Sequence, residues 1–244
     1  MRPTTRALLR LLSVQGAWSY ERMLGIGVGN ASQPLLAELR GREPVRHAEA
    51  TARSAEFFNA NPNLAGLAVG ALARAELDLV PGPQIERLRA ALCSPLGALG
   101  DQIFWAGLVP ALGGAAITAA TLGLGWGVGL AIVVVYSVVR WWVLRWGLRT
   151  GLSAGLAVGR ELGQSWVPRA IAPAGAVAAF SVGAALPLAA AWLPSAAWRH
   201  DLIAMLLVAV AGTALSRWLT PALTAVRFAL MAAAIGLLLR WVAV

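Results

Sequence analysis

Gln102–Val139 reads QIFWAGLVPALGGAAITAATLGLGWGVGLAIVVVYSVV, 38 residues without one charged side chain. A helix rises about 1.5 Å per residue, so about 20 apolar residues cross a bilayer. The run is too long for one span. It predicts either a hairpin of two membrane elements or a re-entrant piece followed by a span. Pro110, Gly113 and Gly114 mark the expected break, because proline lacks the N–H that a helix interior needs and glycine weakens it. Trp126–Val139 begins a firmer helix. Directly after it, RWWVLRWGLR (Arg140–Arg149) sets three Trp among three Arg, the composition of a membrane–water interface belt.

Further along, Ala170–Trp198 is a second long uncharged run ending near Trp192 and Trp198. Leu202–Ser216 and Phe228–Leu239 are shorter ones, set around Arg217 and Arg227. Together these predict four to six membrane elements. The composition agrees: 59% of the 244 residues are hydrophobic and 13% charged, and the mean hydropathy is +0.69. A soluble globule has about twice that charged share, so an integral membrane protein is expected, with all-α architecture. The net charge of +9 would suit nucleic-acid binding in a soluble domain. Here, however, the arginines beyond residue 101 stand at the edges of apolar runs, where they can snorkel to headgroups. Nucleic acid is therefore excluded as a partner, and the lipid bilayer takes its place.

The first hundred residues read differently, and divide the chain into an interfacial and re-entrant part (1–100) and a transmembrane part (101–244). Ala7, Leu8, Leu11, Leu12 and Val14 recur at helical spacing opposite Arg6 and Arg10. That pattern predicts an amphipathic helix lying either on the membrane or on a protein core. The N-terminal stretch is too short in apolar residues for a cleavable signal peptide. Residues 38–56 alternate Arg and Glu and read as an aqueous loop and a solvated helix, with a cytoplasmic bias from Arg40, Arg42, Arg46 and Arg53. Residues 57–73 are uncharged but interrupted by Asn59, Asn61, Pro62 and Asn63, which suggests a re-entrant or broken helix. The alternating glycines 123, 125, 127 and 129 predict close helix packing.

Three stretches carry a resemblance: QGAWSYERMLGIG (Gln15–Gly27), EFFNANPNLAG (Glu56–Gly66) and SPLGALGDQIFW (Ser94–Trp105). In order and spacing they resemble the enzyme IID component of the mannose/fructose/sorbose-type phosphoenolpyruvate-dependent sugar phosphotransferase systems. RWWVLRWGLRTGLSAG (Arg140–Gly155) is similar to that family's arginine-aromatic-glycine segment, and the likeness covers about residues 4–165. It implies a multi-pass subunit of the bacterial cytoplasmic membrane that forms a sugar-translocating unit with an enzyme IIC membrane subunit. Soluble IIA and IIB components would supply the phosphoryl group to a hexose-type sugar. The sequence departs from the family at Asn61, where the family has His, at Ala17-Trp18-Ser19 and at Gln102.

Sugar transport needs polar groups in an apolar setting, because each desolvated hydroxyl must find a partner. Asn59, Asn61, Asp101 and Glu56 are the candidate substrate-binding residues. An amide offers both donors and acceptors, and a carboxylate accepts two hydroxyl bonds. The plainer reading of the asparagines is capping of the break at Pro62. For Asp101 it is capping of a helix start, and Glu56 would join through a shared helical face with Asn59. Phe57, Phe58, Phe104 and Trp105 are available for stacking on a sugar ring, with packing as the default. Trp18, Tyr20, Glu21 and Arg22 are expected at the partner interface. No enzyme activity, cofactor or metal site is expected. His47 and His200 read as solvated, Cys93 has no partner, and the commoner intramembrane catalysts need a paired or clustered set. Asn30-Ala31-Ser32 matches a glycosylation pattern of the kind that arises by chance. Loss of the histidine at Asn61 leaves one alternative, a diverted family member acting as a regulatory or scaffold protein without sugar phosphorylation.

Overall fold

A computed structural model describes residues 1–190 and Leu207. Contacts divide the chain into two compact units, Met1–Ala185 and Leu186–Val244, and nearly all the described residues belong to the first. Trp192, Trp198, His200, the two short apolar runs and Arg217 and Arg227 lie outside the described residues. Among the described residues every regular element is helical: α1 (Pro3–Leu12), α2 (Gly25–Leu36), α3 (Leu39–Arg42), α4 (Pro44–Ser54), α5 (Ala65–Leu77), α6 (Gly82–Ile103), a π-helical turn Phe104–Leu108, α7 (Val109–Thr121), α8 (Trp126–Ala154), α9 (Val158–Gln164) and α10 (Val167–Ala190).

The centre of the fold is α5, in which Ala65–Ala73 are all buried. At 13 residues it is about 20 Å long, too short to span, and it fits the interrupted element expected at 57–73. It lies against α8 through two glycine pairs, Gly66 with Gly70 and Gly147 with Gly151. A Cβ on Gly66 would stand 2.6 Å from the Leu144 carbonyl oxygen, and one on Gly70 2.7 Å from the Leu152 nitrogen. Small-xxx-small pairs on both helices thus let the backbones touch, while Leu67, Leu144 and Leu148 pack beside the seam with almost no exposure.

Of the amphipathic stripe, Ala7, Leu8 and Leu11 of α1 and Val14 just beyond it are buried, with α1 packed on α2 and α8, while Leu12 is exposed, so most of that face is protein packing. Pro3 opens this helix, its fixed φ suiting a first-turn position. The charged stretch 38–56 is helical almost throughout and is not an aqueous loop. In α4, Arg46 and Arg53 turn inward to the buried carboxylate of Glu76 on α5: Arg53 Nε and Nη2 donate to it at 2.9 and 3.1 Å, and Arg46 Nη2 lies 2.7 Å away. The hydrogen bond to Glu76 holds the Arg53 guanidinium above its ordinary pKa, against the opposing effect of burial. Ser32 of the glycosylation pattern is buried in α2, bonded to the Val28 carbonyl.

Among the described residues three helices are long and apolar enough to cross a membrane: Gly82–Thr121, Trp126–Gln164 and Val167–Ala185. The break inside the uncharged run falls at Leu122–Gly125, where Gly123 and Gly125 adopt φ +71°, and not at Pro110–Gly114. Pro110 is absorbed because it follows the π-helical turn, in which the Val109 N–H bonds the Phe104 carbonyl. Widening the helix there accommodates a residue that cannot donate to its own preceding turn. Gly114 stays helical and admits α10 closely: a Cβ there would meet the Ser181 backbone at 2.5 Å, and the Ser181 hydroxyl donates to the Ala111 carbonyl at 2.7 Å. The glycines at 123–129 do not mediate packing within the described residues, since none has a neighbour within 4 Å of a built Cβ. Two of them make the turn, and Gly127 and Gly129 face outward.

Candidate functional site

The three sequence motifs meet at the end of α4. That helix stops at Ser54, leaving carbonyls without helical partners. Arg89 of α6 supplies the donors: Nη2 bonds the carbonyls of Ser54 (3.0 Å) and Glu56 (2.5 Å), and Nε bonds Phe57 (3.1 Å). Its guanidinium also lies over the Phe58 ring, 5.3 Å from the centroid. A cation at the negative end of a helix is favourable, and three carbonyl partners offset the burial of a charge that makes no ion pair among the described residues. Arg22 Nη1 adds a bond to the Ala55 carbonyl at 3.1 Å. The Leu24 N–H donates to Phe58 (2.9 Å) and the Phe58 N–H to Arg22 (3.2 Å), joining the first motif to the second. Met23 adopts φ +49° at this join, and Gly25 leaves room for the Glu56 backbone.

The third motif enters through Asp101. Asn61 Nδ2 donates to Asp101 Oδ1 at 2.8 Å, and Asn61 Oδ1 accepts the Asn63 N–H at 3.0 Å, turning the chain into α5. The Asp101 carboxylate accepts and the Asn63 N–H donates, which fixes the orientation of the Asn61 amide. Gly100 presses on Asn61, leaving no space for a side chain of its own. Asn61 and Asn63 are each 1% exposed, and both side-chain polar atoms of Asn63 are buried without a partner. A buried amide left unsatisfied costs about 1–3 kcal/mol, so it stands out beside a network that is otherwise paired. Asp101 itself is exposed, as are Gln102 and Asn59, and so are Phe57 and Trp105, at 51% and 45%.

The sequence-predicted set divides. Asn61 and Asp101 come together. Asp101 lies inside α6 and not at a helix start, so the capping role expected for it falls away. Asn61 does serve the local turn, as its plainer reading held, and binds Asp101 as well. Glu56 and Asn59 share no helical face, because α4 has already ended; the Glu56 side chain is exposed and its carbonyl is what Arg89 holds. Phe58 and Phe104 are fully buried packing residues. Trp18 and Tyr20 meet edge-on at 4.8 Å, with Tyr20 84% exposed; Glu21 is exposed too, while Arg22 directs its guanidinium to the Ala55 carbonyl. His47 is half-buried in α4 with Nε2 enclosed and unpartnered, since helix formation turns it away from solvent. Cys93 is half-buried against the Arg89 carbonyl.

Sequence reading missed Arg89, although a signal was there. It stands on the buried stripe of α6 with Ile85, Leu92 and Leu96, at helical spacing, where a charge needs a partner. A large open groove, about 410 Å3 between the π-helical turn, α8 and α10, is walled by apolar side chains such as Phe104, Trp142, Trp166 and Val177. Among the described residues its polar groups are confined to indole N–H groups and backbone, and the unpartnered Trp166 Nε1 is buried beneath the surface.

A family model described as "PTS system mannose/fructose/sorbose family IID component" matches residues 2–194. This chain belongs to that family. The mannose-specific EIID component of Escherichia coli (strain K12) is 30% identical over 141 residues, 54% of this chain and 48% of that protein. The fructose permease IID component of Bacillus subtilis (strain 168) is 30% identical over 115 residues, 45% of this chain and 40% of that one. The chain thus spans about half the length of the curated relatives it matches. Two solved chains share the fold across 95% of this chain and 94% of theirs, each at 21% identity. One is a membrane protein at a TM-score of 0.68, the other a chain of the complex of the mannose transporter ManYZ with microcin E492 at 0.58.

Proposed function

We propose that this IID chain, paired with a IIC membrane subunit, forms the sugar-translocating unit of a mannose-type phosphotransferase permease in the bacterial cytoplasmic membrane. The sugar is of the hexose type, and soluble IIA and IIB components phosphorylate it. This chain carries no phosphohistidine of its own; the enclosed Nε2 of His47 is poorly placed for an incoming phosphoryl carrier. One observation carries the reading: the Asn61–Asp101 hydrogen bond stands beside the unpartnered amide of Asn63. Asp101 immediately precedes the 38-residue uncharged run, so its carboxylate sits where the helix passes from charged to apolar sequence. A sugar hydroxyl donating to Asp101 and engaging an asparagine amide recovers there the bonds it loses on leaving water. Phe57 and Trp105 offer exposed rings for the apolar face of a pyranose, and the exposed Trp18, Tyr20 and Glu21 offer a surface for the IIC subunit.

The test is phosphoenolpyruvate-dependent phosphorylation of mannose or fructose by membranes holding this chain and its IIC, supplied with IIA and IIB, in a host lacking other mannose-type permeases. D101N is expected to abolish most of the activity while the IIC subunit still co-purifies. Undiminished activity in D101N removes the residue from the sugar path. No activity with the unaltered chain in a complete system overturns the permease reading.

A further inference from the structure

α1 runs antiparallel to the interfacial part of α8, and the two ends of α1 are treated oppositely. At its C-terminal end Arg140 Nη2 donates to the Leu12 carbonyl at 2.8 Å, placing a cation at the negative end of the helix dipole. At its N-terminal end, the positive one, the neighbours are Arg145 and Arg149. Between them and the helix start lies a cavity of about 140 Å3, lined by Arg2, Thr4, Thr5, Arg145 and Arg149 over a floor of Leu8 and Leu148. That space is far more than the roughly 10–15 Å3 a single water needs.

Among the described residues no acidic side chain lines the cavity. None of Arg2, Arg145 and Arg149 makes an ion pair with any of them, and no side chain caps the α1 start. Three arginines and a helix N-terminus therefore border one space with no acidic partner among the described residues. Arg145 is further fixed by lying over the Trp141 ring, 5.3 Å from its centroid. The depth is set by the sequence: Val133, Val134 and Val138 of α8 are exposed apolar residues, and the Trp141–Trp146 belt separates them from the cavity. Guanidinium forks, threonine hydroxyls and helix N–H groups are the donors that suit a tetrahedral phosphate.

We propose that this cavity binds a phosphate group, and that its source is the headgroup of an anionic phospholipid in the leaflet that the tryptophan belt faces. The bound phosphate closes the gap between α1 and α8 and neutralises their repulsion. The site is separate from the Asn61–Asp101 pair and does not depend on the sugar reading.

The test uses the full chain with its IIC subunit, in mild detergent and in zwitterionic nanodiscs. Native mass spectrometry follows titration with phosphatidylglycerol or phosphatidylcholine, and a second arm adds inorganic phosphate against chloride at matched ionic strength. The unaltered chain is expected to retain phosphatidylglycerol over phosphatidylcholine. R145Q/R149Q is expected to lose about tenfold in that affinity, and R87Q, an exposed arginine elsewhere on α6, to lose none. Thermal stabilisation of the unaltered chain by the anionic lipid gives a readout that needs no variant. Stabilisation and competition by inorganic phosphate without lipid preference supports the phosphate site and assigns it to a soluble anion. Equal lipid retention by the unaltered chain and R145Q/R149Q, or no response to lipid and phosphate alike, overturns the proposal.

Discussion

The glycine seam between α5 and α8 gives the sharpest test of the fold. In G151A the new Cβ would stand 2.8 Å from the Ala71 nitrogen and 3.0 Å from the Gly70 Cα, where ordinary contacts begin at 3.4 Å. These neighbours are backbone, with no flexible side-chain end to swing aside, so the helices must part by roughly half an ångström or more. Parting them loosens Leu67, Leu144 and Leu148, which are buried along the same seam. Overpacking of this kind costs about 1–3 kcal/mol. For a unit of this size each kcal/mol moves the melting midpoint by about 2–4 °C, so a fall of about 2–12 °C is expected. G129A is the matched control: a Cβ there meets nothing within 4 Å, and alanine favours a helix over glycine by up to about 1 kcal/mol. Cys93, the single cysteine, is half-buried, so a thiol-reactive fluorophore reports unfolding of the purified chain in detergent. If G151A melts with the unaltered chain, or falls no further than G129A, the close approach of α5 and α8 is not what holds the centre together.

Other substitutions probe other joints. E76Q removes the buried carboxylate shared by the half-buried Arg46 and Arg53, leaving Arg53 only Glu49 at 3.5 Å, and should lower stability by about 2–4 kcal/mol, whereas E38Q, which removes an exposed pair with Arg42, should stay within about 1 kcal/mol; the same melting assay separates them. R89K keeps the charge, but one ammonium cannot span three carbonyls; a loss of about 2–3 kcal/mol and new protease cleavage within residues 55–60 are expected, and an uncut, equally stable variant would remove Arg89 as the clamp. N61A should lower sugar phosphorylation about tenfold or more. N61H, which restores a donor to Asp101, should retain more of it, and equal losses in both would show that the bond to Asp101 is not what the position supplies.

Much of this was legible in the sequence, because membrane spans and motif blocks are local. The uncharged run announced its helices, and Asn59–Asn63 announced the broken entry to α5. What escaped depended on partners distant in the chain. Gly66 and Gly70 could be read as a small-residue pair, but only Gly147 and Gly151, some eighty residues on, give that pair a surface to meet. The glycines at 123–129 formed a more regular pattern and turned out to be a turn and an outward face. Pro110 looked like a break because its effect depends on the π-helical turn before it, which no local propensity announces. At the site, Asn61 and Asp101 were found one by one through their chemistry. Their bond was not, because it needs α6 to return along the start of α5. Arg89 was overlooked for the same reason: its three acceptors are backbone carbonyls, invisible in a list of side chains.

The two halves of the Asn61–Asp101 pair are anchored by different contacts. Asn61 leads into α5, which is fixed by its turn at one end, by the glycine seam along its length, and by Arg46 and Arg53 on Glu76 at the other end. Asp101 rides on the helix Gly82–Thr121, which Arg89 ties to the motif loops on one side and which runs through the π-helical turn into apolar sequence on the other. A displacement of that helix by more than about 1 Å relative to α5 would stretch the 2.8 Å amide–carboxylate bond past hydrogen-bonding distance and loosen the contact of Gly100 with Asn61. A hydrogen bond to a charged group is worth about 1.5–3 kcal/mol net, so the Asn61–Asp101 bond contributes on that order to holding the two elements together. A ligand shifts a conformational equilibrium only by its difference in affinity for the two states. On the proposed sugar reading, a hydroxyl donating to the second oxygen of the exposed Asp101 carboxylate leaves the bond from Asn61 to Oδ1 in place and has that difference only if the helix position changes how well it fits.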